Sequence, residues 1–190
     1  MGFFALWLVR EQLHVGCGFA QMQGDSQGTW MCADGIGYLW VAVTLGGATI
    51  MSTIAGGLIA GLVRHERLAR TLLVVLAGAT AGWVLSWTRY GSSELVSAVP
   101  SGAEGIDYWL AAVLPAAFAS GAGVGVGLIA LLLPANPARF LLWIAAAAML
   151  GATALQPGLA LNTLPAAGLI AASAVRATSA RAPAAQATDR

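Results

Sequence analysis

The chain has no lysine, no Cys-x-x-Cys pair and very little charge of either sign. Charged residues make up 9% of it, against about 25% in soluble domains. A soluble fold so poor in charge could not cover its surface with polar groups. The net charge of +1 offers no basic footprint for nucleic acid, so no such partner is expected. All nine basic residues are arginine. With the abundant alanine and glycine, this points to a GC-rich bacterial genome.

A second absence is more informative. No Asp, Glu, Lys, Arg or His lies centrally in any of the long apolar runs. Pumps, proton-coupled carriers and intramembrane hydrolases usually need such groups for relays, ion sites or catalysis. Haem is disfavoured as well, because His14 and His65 fall in loops expected on opposite faces. No cofactor is therefore expected.

What is present is apolar sequence: 58% of residues, with a mean hydropathy of +0.78. Five candidate spans stand out, at 36–63, 71–87, 108–133, 140–156 and 158–175. The first would be about 42 Å long as a helix, more than the ~30 Å hydrocarbon core, so it must tilt or stand partly in the interface. The fifth is weaker, since Asn162 and Pro165 interrupt it; spanning is preferred to a re-entrant piece because neighbouring helices tolerate proline in a membrane. The expected fold class is thus all-α and polytopic, with about five transmembrane helices and a short apolar N-terminal segment. Gln156-Pro157-Gly158 and Pro134-Ala135-Asn136-Pro137 read as turns between spans.

The chain divides into an N-terminal stub with an outer loop (1–35), a helical bundle (36–175) and a small, polar, aperiodic tail (176–190) expected to be disordered. Residues 2–9 are apolar but too few to cross a bilayer, and Arg10 and Glu11 follow at once. The segment reads as an interfacial anchor, as a helix carrying Arg10 and Glu11 into a polar site, or as a remnant of a longer helix. The first and last are favoured.

Arginine in short loops marks the cytoplasmic side. With five spans, 64–70, 134–139 and the C-terminal tail fall on one face and carry Arg64, Arg67, Arg70, Arg139 and Arg176. The opposite face holds the acids Glu11, Asp25, Asp34, Glu94, Glu104 and Asp107 against Arg10 and Arg89. Tyr38, Trp40, Trp87, Tyr90, Tyr108 and Trp109 lie at span ends on that outer face, where aromatic belts form. The expected setting is a multi-pass protein of a bacterial cytoplasmic membrane.

Cys17 and Cys32 share the outer loop and are expected to form a structural disulfide, which would stabilise a loop of this length by about 3 kcal/mol. A metal site using His14, Cys17, Cys32 and Asp34 is the sharper and less supported reading, since only His14 and Cys17 have helical ligand spacing; no metal is expected. Gly57 with Gly61, Gly121 with Gly125, and Gly123 with Gly127 are small-xxx-small pairs that let helix backbones approach. They serve packing within the chain or, failing that, between subunits. Glu66 and Arg70 have the i,i+4 spacing of a weak pair.

Three functions follow. The leading one is a structural, accessory or assembly component, whose partners are the lipid bilayer and either another membrane protein or a second copy. The second is a transporter or channel for a small neutral or apolar solute, lined by Thr44, Thr49, Ser52, Thr53, Thr80, Ser86 and Ser120. That reading gains if these converge on one cavity and loses if they point to separate neighbours. The third is an enzyme with an outer-face site built from His14, Asp25, Asp34, Glu94, Glu104 or Asp107.

Overall fold

The computed structural model describes residues 2–20, 28–32, 35–93 and 104–179. Its main elements are five long helices: α2 (Leu39–Leu62), α3 (Glu66–Ser93), α4 (Gly105–Leu131), α5 (Ala135–Leu155) and α6 (Ala160–Ser179). With the 3-10 turns that lead into α2 and α6, all five are long and apolar enough to cross a membrane. Before them come α1 (Gly2–Trp7), which continues as a π-helical turn over Leu8–Gln12, and a two-stranded antiparallel hairpin of β1 (Cys17–Ala20) and β2 (Thr29–Cys32). The hairpin is the one departure from an all-helical chain among the described residues.

Helices α3, α5 and α6 overrun the expected spans where polar residues extend them. Expected as a loop, 64–70 is helical from Glu66 onward, so Arg67 and Arg70 stand on α3. Glu66 in the first turn favours this start, because the helix dipole stabilises a negative charge there. Likewise α5 begins at Ala135, inside the expected turn; Pro137 sits in its first turn, where a missing N–H breaks no helical bond. Helix α6 passes through Arg176 to Ser179, beyond the boundary expected for the tail. Residues 180–190 lie outside the described residues.

The interrupted fifth span is the most enclosed: 61% of its apolar stretch is buried, against 17% for the span containing α2. Helix α6 packs against α3, α5 and α2, and α4 packs against α3 and α5. Alanine at 166, 167 and 174 lets its neighbours come close. At the end bearing the arginines, the core is built on Leu73, Val74, Leu142, Met149 and Ile170. At the opposite end it is built on Leu8, Val9, Leu13, Tyr38, Val41 and Trp109. The N-terminal segment therefore belongs to the second core: Leu8, Val9 and Leu13 are at most 1% exposed. The other face of the segment, with Phe3, Phe4, Leu6 and Trp7, stays exposed.

Two of the expected belt aromatics are core residues instead. Tyr38 and Trp109 are 5% and 6% exposed. Each can be buried because its polar atom has a partner: Tyr38 Oη donates to the Val15 carbonyl at 3.0 Å, and Trp109 Nε1 donates to Thr88 Oγ1 at 3.0 Å.

Candidate functional site

The end of the bundle opposite the arginines carries most of the irregular structure. Cys17 and Cys32 face each other across the hairpin and are joined at an S–S distance of 1.99 Å. This removes the thiol ligands of the metal reading, and Asp34 lies outside the described residues. Among the described residues, no group of three or more His, Cys, Asp or Glu is placed to hold a metal.

His14 links the hairpin to α4. Its ring stacks on Trp30 of β2, with centroids 4.0 Å apart, and meets Tyr108 of α4 edge-on at 5.1 Å. The backbone at His14 is left-handed (φ 50°) and so is that at Gly16 (φ 74°), which turns the chain out of the N-terminal segment into β1. Burial pushes the His14 pKa below the usual imidazole value, against the opposing pull of the Glu11 carboxylate.

Of the acids in the outer-face enzyme reading, Glu104 and Asp107 lie among the described residues. Asp25, Asp34 and Glu94 lie outside the described residues. Asp107 accepts from the Glu104 N–H at 2.9 Å, which is a helix-capping role at the start of α4. Glu11 forms an exposed ion pair with Arg10 at 3.4 Å.

The hydroxyls of the pore reading go to separate places. Ser52 and Thr80 bond to each other at 2.7 Å between α2 and α3. Thr49 reaches the Leu161 carbonyl of α6 at 2.7 Å. Thr44 and Thr53 bond back to their own helix, at Trp40 and Thr49. Ser86 is exposed. Ser120 is buried, and its hydroxyl has no hydrogen-bond partner.

Other polar contacts were missed because they depend on how helices align. Thr153 and Thr163 bond at 2.7 Å across α5 and α6. Gln156, 3% exposed, donates to Gln12 Oε1 at 2.7 Å and to the Ala112 carbonyl at 2.9 Å, so it ties the N-terminal segment to α4. Arg176 Nη1 donates to the Val63 carbonyl at 2.9 Å, where α2 ends.

The glycines divide into two sets. A Cβ at Gly123 would stand 3.0 Å from the Ala145 carbonyl oxygen of α5, and one at Gly127 would stand 3.3 Å from Val74 of α3. These two bring α4 against its neighbours. Gly57, Gly61, Gly121 and Gly125 have open space where a Cβ would be. Two glycines outside the expected pairs are in close contact: Gly56 lies under Leu169 and Gly158 under Leu8.

No protein-family model, curated protein or solved structure matches the chain.

Proposed function

We propose that the chain is an accessory or assembly subunit of a bacterial cytoplasmic membrane, with α2 as the helix that meets its partner. The observation that carries this reading is the position of α2. Only 17% of its apolar stretch is buried by the rest of the chain. Its free face combines Val43, Ile50, Ile54 and Leu58 with the uncovered Gly57 and Gly61. Large side chains beside small ones suit a second membrane helix, which can approach closely at glycine. The transporter reading draws less support, because its hydroxyls point to separate neighbours rather than to one cavity.

The orientation rests on charge. Arg64, Arg67, Arg70, Arg139 and Arg176 cluster at one end of the bundle, which we place in the cytoplasm. A membrane-impermeant thiol reagent on intact cells should label S93C and leave R64C unlabelled. The reverse pattern would invert the topology.

The function is tested by purification in mild detergent and mass spectrometry of the intact assembly. A stoichiometric partner that is lost in G57L/G61L supports the reading, since both sites have room for a side chain in the isolated fold. A lone monomer, or a partner retained by G57L/G61L, overturns it.

A further inference from the structure

At the arginine-bearing end of the bundle, the first turns of α3, the α4–α5 connection and the end of α6 enclose a cavity of about 590 Å³. Glu66, Arg67 and Arg70 line one side, and Leu132, Leu133 and Ala135 line another. Glu66 and Arg70 are one helical turn apart, the spacing at which opposite charges pair. They do not pair. Glu66 Oε2 and Arg70 Nε are each out of solvent with no hydrogen-bond partner. Buried polar atoms are rarely left so, and ordered water, an ion or a bound group is what commonly completes them.

The features around these two atoms belong to different kinds of ligand chemistry, and one molecule joins them. Arg67 and Arg70 suit an anion with several acceptor oxygens. The first turns of α3 and α5 both border the cavity, and their unpaired N–H groups add partial positive charge. A carboxylate beside them suits a hydroxyl donor. Leu132, 86% exposed, and Leu133 supply an apolar wall at the end of α4. A phosphate, a hydroxyl and a hydrocarbon chain occur together in an anionic phospholipid with a polyol headgroup.

We propose that this cavity binds such a lipid: its phosphate on Arg67 and Arg70, a headgroup hydroxyl donating to Glu66 Oε2, and the start of an acyl chain against Leu132 and Leu133. A free polyol phosphate would present the same polar groups and leave the leucine wall unused. The site rests on the membrane reading above but not on the accessory role.

The test uses the full chain in mild detergent, with lipids added and retention read by intact-complex mass spectrometry. Phosphatidylglycerol should be retained over phosphatidylcholine by roughly thirtyfold, the effect of two arginines near a charged headgroup. R67Q/R70Q should abolish that preference, while R139Q, outside the cavity, should keep it. R67Q alone, at an exposed position, should weaken it if the double variant does not fold. E66A should lower phosphatidylglycerol retention and leave phosphatidic acid, which has no headgroup polyol, undiminished. Equal retention of phosphatidylglycerol and phosphatidylcholine, or an unchanged preference in R67Q/R70Q, would overturn the site. Displacement of phosphatidylglycerol by an equal concentration of glycerol 3-phosphate would overturn the lipid and leave a soluble ligand. Vesicle flotation of the wild type keeps the two readings apart: a protein that inserts but shows no preference loses only this site.

Discussion

Thr49 on α2 supplies a hydrogen bond that Pro165 on α6 cannot. Pro165 has no N–H to return to the Leu161 carbonyl four residues earlier. The Thr49 hydroxyl reaches that oxygen at 2.7 Å, closer than the Leu45 carbonyl of its own helix at 3.0 Å. A helix broken by proline is thereby satisfied from its neighbour, as an apolar surrounding requires. It also follows that the central helix of the bundle can be the one whose sequence looks least like a span.

The pairing can be measured. T49V keeps the shape of the side chain and removes the donor, and it should destabilise the bundle by about 1 kcal/mol in a detergent unfolding titration. P165A restores an N–H to α6, so T49V should matter less in that background. The double-mutant cycle should give a clear coupling between the two sites. Additive effects would mean that Thr49 does not serve the Leu161 carbonyl.

The two sets of glycines should behave oppositely. G123A places a methyl group against the Ala145 carbonyl and should lower the thermal midpoint of the purified protein. G57A and G61A meet open space and replace glycine inside a helix, so each should leave the midpoint unchanged or raise it by the equivalent of up to about 1 kcal/mol. A drop in G57A comparable to that in G123A would show that Gly57 is covered within the chain.

This contrast marks what the sequence could disclose. Hydropathy identified five long apolar helices because each depends on a run of residues and not on a neighbour. Spacing paired Gly57 with Gly61 and Gly123 with Gly127 alike, and only the arrangement of helices separates the covered pair from the open one. The same holds for Ser52 and Thr80, which meet because α2 and α3 lie in a particular register. The helix starts at Glu66 and Ala135 lie ahead of the expected spans because charge and proline suggest loop in a sequence, although the first turn of a helix accommodates both. The N-terminal segment was too short to read as a span, and its burial depends on Gly158 leaving room for Leu8. The lone pairing at Cys17 and Cys32 was legible because few alternatives existed: there are two cysteines in the chain.

Reduction should loosen the hairpin end without unfolding the bundle. The disulfide closes a fifteen-residue separation, worth about 3 kcal/mol in the chain-entropy model. The Tyr38–Val15 hydrogen bond beside the hairpin and the His14–Trp30 stack do not pass through the S–S bond and should persist after reduction. Amide exchange should therefore rise in β1 and β2 while the cores of α3 and α6 stay protected. Exchange that rises throughout α3 and α6 on reduction would make the disulfide a global constraint instead.

The same end should respond to acid through His14. Burial holds its pKa in the folded chain below the ordinary imidazole value of about 6.5. Above that value the imidazole is neutral whether the segment is docked or free, so the linkage vanishes and stability is fully present. As pH falls below 6.5 toward the folded value, the free segment takes up a proton that the docked one resists. Stability then falls with pH, and it stops falling once both states are protonated. The protection factor of the hairpin, its exchange corrected for the intrinsic pH dependence, should thus be flat from neutral pH upward and should fall as pH drops below about 6.5. H14N removes the titrating group and keeps a residue that tolerates the left-handed backbone found here. It should loosen the hairpin at neutral pH, by losing the stack on Trp30, and should flatten the acid response. A hairpin that tightens on acidification would mean that the Glu11 carboxylate, and not burial, dominates the charge balance at His14.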